Sequence, residues 1–137
     1  MGYLYYYPLD DEGNIDNKLK KMVEKEFKKL DKKKHLKLLN ELNKIDKIGA
    51  LYIFDKQKQE KNMPHSKKTI VHIEPNLYEL RVPKQSRSGV FRVYFTIFPD
   101  GKRVLILDAE YKTEKTPQRL KEAQKRLNRL RKEADWK

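Results

Sequence analysis

Three short segments carry cations in positions that restrict where the charge can go: Tyr78-Glu79-Leu80-Arg81, Val90-Phe91-Arg92-Val93-Tyr94, and Lys112-Thr113-Glu114-Lys115-Thr116-Pro117. The first two alternate in the manner of strands, and the third leads into a helix start. Arginines on neighbouring strands repel when they stand opposite each other, unless something negative lies between them. A phosphate satisfies that requirement, because two planar guanidinium forks can share its oxygens through charge-assisted hydrogen bonds. A nearby phenol, Tyr111, can stack on a base, so the group suits a single-stranded nucleic acid. The plainer alternative is that Arg81 pairs with Glu79 or Asp108 in an ordinary surface salt bridge.

Placing these side chains depends on two hairpins. Pro99-Asp100-Gly101-Lys102 carries an Asp-Gly turn signal. It sets Phe98 against Arg103, Phe95 against Ile106 and Arg92 against Ala109. Phe95, Ile97, Val104 and Ile106 then share a core face, while Arg92 and Tyr94 point to the other, with Tyr111 on the side of Arg92. In the preceding hairpin, matching Val82 with Phe91 and Leu80 with Val93 brings Arg81 opposite Arg92. Arg81, Arg92, Tyr111 and Lys112 therefore converge on one end of the sheet.

The rest of the chain supplies the support. Tyr3 to Tyr7 reads as a short first strand ending at Pro8. Asp16 stands as an N-cap before Leu19, Met22, Val23, Phe27 and Leu30, which recur at helical spacing. Leu36, Leu39, Leu42 and Ile45 make a second helix that stops at Gly49, so the two form a helical hairpin. Leu51-Tyr52-Ile53-Phe54 reads equally as a strand or as the tail of that helix. After the loop Pro64-His65-Ser66-Lys67-Lys68, the stretches 70–73, 76–82, 89–98 and 102–108 alternate as an antiparallel β-meander. Thr116-Pro117 opens a last helix with an apolar stripe at Leu120, Ala123, Leu127 and Leu130. The order predicts an α+β fold, with helices against one antiparallel sheet, and a single domain spanning residues 1–137.

Composition narrows the partners. Lys and Arg number 33 against 20 Asp and Glu, a formal charge of +13, which favours nucleic acid, an anionic surface or an acidic protein. Without cysteine there is no thiolate nucleophile and no Cys-based zinc site. The three histidines, 35, 65 and 72, show no metal-ligand spacing, and no metal or other cofactor is expected. No apolar run approaches the ~20 residues that span a bilayer, and the first residues lack a basic leader, which predicts a cytoplasmic protein with no membrane partner.

Taken together, Leu77-Tyr78-Glu79-Leu80-Arg81, Phe91-Arg92-Val93-Tyr94-Phe95, the apolar strand from Val104 to Leu107 and Lys112-Thr113-Glu114-Lys115-Thr116-Pro117 resemble the RelE/HigB toxin family, in particular its phage-associated HigB-like branch. Ala109-Glu110-Tyr111-Lys112 departs from the Phe-x-Lys-Lys common in that family. The resemblance implies a RelE-like fold and a ribosome-dependent mRNA endonuclease that attacks the adjacent phosphate with a ribose 2′-OH, without a metal. It implies mRNA on the ribosome and a cognate antitoxin, of helix-turn-helix type, as partners. By position in the pattern, Arg81 and Arg92 stabilise phosphate charge, and Lys112 does so or acts as the acid. His65 or Lys68 is the candidate base, and Tyr111 stacks on or orients the base being cut. The alternative is a non-catalytic phage or host module that binds RNA or protein on the same fold. The lysines between Lys18 and Lys37 are a solvated helix face, or a surface that eases entry into a phosphate-lined cleft. The basic last helix, with Arg119, Arg126 and their neighbours, serves ribosome contact, antitoxin contact or solubility.

Overall fold

A computed structural model describes residues 2–7, 18–28, 32–82, 90–112 and 119–133. In chain order these form β1 (Leu4–Tyr6), α1 (Lys18–Phe27), α2 (Lys32–Ile48), α3 (Ala50–Gln59), a 3-10 turn at His65–Lys67, β2 (Ile70–Glu74), β3 (Leu77–Val82), β4 (Val90–Ile97), β5 (Val104–Lys112) and α4 (Leu120–Glu133). The class is α+β as expected, and the expected N-terminal strand, meander and last helix are all present. The expected caps at Asp16 and Thr116-Pro117 lie outside the described residues.

Two features differ from the expectation. The five strands run in the order β1-β5-β4-β3-β2, and β1 pairs with β5 in parallel, so the sheet is mixed. Three helices separate β1 from the meander, which is more than enough chain to return in the same direction. The second difference is that the helical hairpin gains a third member. Gly49 does end α2, but α3 begins at the next residue and takes in Leu51 to Phe54, with Ile53 buried. Gly49 holds φ at 83°, and a Cβ there would lie 2.4 Å from the Lys102 carbonyl oxygen. The Ala50 amide donates to that same carbonyl at 2.8 Å. Only glycine allows both the left-handed backbone and this approach to the β4–β5 loop.

The Asp-Gly loop behaves as read. The Phe98 amide donates to Arg103 at 2.9 Å, Gly101 takes φ 70°, and the Asp100 carboxylate accepts the Lys102 and Arg103 amides at 2.8 and 3.0 Å. Phe95 pairs with Ile106 and Ile97 with Val104. This face is covered by α1 and α2: Leu19, Val23, Leu38, Leu42 and Ile45 join Leu80, Val93, Phe95 and Ile106 in the core. Burying each such side chain stabilises the fold by about 1.5–3 kcal/mol before ordering entropy is charged against it. The opposite face is covered by α4, through Ala123, Leu127 and Leu130.

Candidate nucleic-acid site

The β3–β4 register sets Val82 against Phe91, Leu80 against Val93 and Arg81 against Arg92. The two arginines therefore do face each other across adjacent strands. Part of the negative charge between them comes from the chain itself. Glu79, two residues before Arg81 on the same face of β3, receives Nη1 of Arg92 on both carboxylate oxygens, at 3.0 and 3.2 Å. Its Oε1 also lies 3.5 Å from Nε of Arg81. One carboxylate thus serves two guanidinium groups, and the Arg81–Glu79 pairing offered by the plainer alternative is present.

Arg81 is buried, its side chain 8% exposed, whereas that of Arg92 is 19% exposed. Burial pulls the Arg81 pKa down from its ordinary value; Glu79 opposes that shift and Arg92 adds to it. Its Nη2 donates to the carbonyls of His65 and Lys68, at 2.8 Å for Lys68. These two bonds pin the turn before β2 to the sheet, so the backbone that carries the two candidate bases is fixed relative to the arginine pair. His65 is exposed and Lys68 half-buried. Nε of Arg81 and Nε of Arg92 are both buried without a hydrogen-bond acceptor. Arg81 Nε meets only the longer ion-pair contact with Glu79, so one carboxylate partly offsets two guanidinium groups.

The β4–β5 register corrects one expectation. Tyr94 pairs with Asp108 but Phe95 with Ile106, so Leu107 is an extra residue in β5. Such a bulge shifts everything beyond it by one position and exchanges the two faces. Arg92 consequently faces Glu110 rather than Ala109, and Tyr111 pairs with Phe91 on the other face. Lys112 closes β5 opposite Val90; its side chain, and residues 113 to 117, lie outside what is described.

Glu110 belongs to a polar cluster that the sequence did not reveal as a unit. Its carboxylate accepts Tyr94 Oη at 2.8 Å and the Arg119 amide at 2.9 Å. Beside it, Asp108 is fully buried and accepts Arg119 Nη2 at 2.8 Å and Arg126 Nη1 at 3.0 Å. Arg126 also donates to the Leu107 carbonyl at 2.6 Å, at the bulge itself. Burial pushes the Tyr94 phenol up, and the hydrogen bond to Glu110 adds to that. Burial also pushes Asp108 up, against the pull of Arg119, the Ala109 amide and Arg126. Arg119, just before α4, and Arg126 within it therefore face inward and hold α4 to the sheet. The available signal was a pair of acids, Asp108 and Glu110, in an otherwise apolar strand.

Chemically, this end of the sheet offers a rigid cationic pair, a titratable imidazole and an amine on an anchored turn, and a phenol with a carboxylate behind them. That set can hold a phosphate and exchange protons beside it. A family model described as "Phage derived protein Gp49-like (DUF891)" matches residues 25–128. No curated protein matches the chain.

Proposed function

From the premise that the chain belongs to the phage-derived Gp49-like family, which is related to the RelE/HigB toxins, we propose that it is the toxin of a toxin–antitoxin pair and cuts mRNA on the ribosome. The observation that carries this reading is the opposed pair Arg81 and Arg92, two cations that share one carboxylate. In the proposed reaction a ribose 2′-oxygen attacks the adjacent phosphorus and the bond to the 5′-oxygen breaks, leaving a cyclic phosphate and a 5′-hydroxyl. The 2′-hydroxyl proton goes to His65 or Lys68. Arg81 and Arg92 stabilise charge building on the phosphorane oxygens, and Lys112 shares that work or protonates the leaving oxygen. Tyr111, on the face away from Arg92, is left with stacking on a base at the end of the sheet. The protein would act in the cytoplasm, held in check by a helix-turn-helix antitoxin.

Induction in bacterial cells tests this reading. Growth arrest accompanied by mRNA cleavage in codon register is expected; unchanged growth and intact mRNA in the presence of soluble protein would sink it. One observation favours a second reading, a non-catalytic RNA- or protein-binding module: Glu79 already engages Arg92 through both oxygens. Salt-sensitive RNA binding on ribosomes without cleavage would select that module instead.

A further inference from the structure

Next to Arg81 lies a cleft of about 240 Å³ that extends from the candidate bases His65 and Lys68 to residues the cleavage chemistry does not use. The end of α3 lends it Glu60 and Lys61, the turn before β2 lends His65 and Lys68, and β2 lends His72. β2 is an edge of the sheet, and the side chains of Lys61, His65 and His72 are exposed there. Glu60, the acid in the lining, is buried and turned toward the backbone: it accepts the Thr69 amide at 2.9 and 3.0 Å and the Ile70 amide at 3.2 Å. The remaining titratable groups around the opening are two ammonium groups and two imidazoles, a set that attracts anions.

His72 adds a flat surface to that charge. Its ring packs on Tyr78, centroids 5.0 Å apart, and Tyr78 stacks on Phe95 at 5.4 Å with planes 15° apart. The imidazole is the outermost of three rings braced by the core, as a base-stacking platform requires. The cleft is smaller than the ~300–1,000 Å³ of pockets that enclose a whole small molecule, so it suits a phosphate with its base lying outside. Because Arg81 grips the carbonyls of His65 and Lys68, this opening and the arginine pair share one rigid frame.

We propose that the cleft is a second nucleotide subsite, in which Lys61, with whichever of His65 and Lys68 does not take the 2′-hydroxyl proton, holds the phosphate of the nucleotide next to the scissile one while its base lies on His72. The assignment rests on the single-stranded RNA reading for its substrate, but binding there does not depend on cleavage. It is tested by following the imidazole C–H resonances of the full chain during titration with AMP, adenosine and inorganic phosphate, with His35 of α2, which lines a separate cavity facing α1 and β1, as the reference. AMP is expected to shift His65 and His72 but not His35. It should bind about tenfold more tightly than either adenosine or phosphate, the factor that ~1.4 kcal/mol of added stacking or charge pairing supplies. Lys61→Gln and His72→Ala, both at exposed side chains, should each weaken AMP by about tenfold for the same reason. An AMP shift that follows this pattern in a protein that cuts no mRNA upholds the subsite and removes only the endonuclease. The subsite is overturned if AMP moves neither His65 nor His72, or moves His35 equally. Inorganic phosphate binding as tightly as AMP overturns its assignment to a nucleotide.

Discussion

At the scale of single residues, Glu79 controls the site. It is 5% exposed, lies between two arginines and is their shared counter-charge. Glu79→Gln leaves two largely buried guanidinium groups without a carboxylate, a change that costs about 3 kcal/mol when a buried pair is broken from one side. Urea unfolding should show that loss, with the m-value unchanged. The opposition of Arg81 and Arg92 was legible in the sequence because apolar residues flank each arginine and pin the period-two register. The exchange of Tyr111 for Glu110 was not, because a bulge at Leu107 falls inside the apolar run Val104 to Leu107 and leaves no mark on its pattern. Charge alone also concealed Arg119 and Arg126, whose spacing on a basic helix looks the same whether they face water or Asp108.

At the scale of elements, the site depends on how α4 and the β4–β5 loop are held. α4 is fixed by the buried Asp108 through Arg119 and Arg126, whose side chains are 38% and 22% exposed. Asp108→Asn keeps the shape but removes the charge. It also removes the cost of burying the charge, so stability should fall by less than about 3 kcal/mol, the figure for a broken buried pair. Hydrogen exchange should then show α4 amides losing protection ahead of β3 and β4. The α2–α3 junction has a sharper constraint. Gly49→Ala meets both a positive φ and the Lys102 carbonyl, and should destabilise by about 1–3 kcal/mol. A melting temperature equal to that of wild type would show that the junction relaxes without strain. Gly49 was readable as a helix stop, but not as the start of α3. Local pattern was equally ambiguous for Leu51 to Phe54, and packing of Ile53 in the core decided the outcome.

For the whole molecule, β1 meets α1 and α2 around a half-buried phenol. Tyr6 of β1 has its pKa raised to about 12, first by burial and then by the charges of Glu24 on α1 and Asp46 on α2. A folded-state pKa above the unfolded value of 10.0 means this contribution is fully present below pH 10 and is lost as pH rises through about 12. The loss amounts to about 2–3 kcal/mol, and Tyr6→Phe should remove that part of the alkaline slope. The parallel pairing of β1, which brings Tyr6 to this position, cannot be read from a three-residue strand, since it is decided by contacts with elements far along the chain. The overall excess of cations was visible from composition, and it fits a partner made of phosphates.

In the proposed function the opposed arginines work on an mRNA phosphate. It is tested most directly by mapping mRNA 5′ ends in cells induced for the wild-type chain or for Arg92→Ala, with circular dichroism confirming that the variant is folded. New ends in codon register are expected with the wild type and none with Arg92→Ala. The same ends at the same frequency from the folded variant would contradict this role of the arginines.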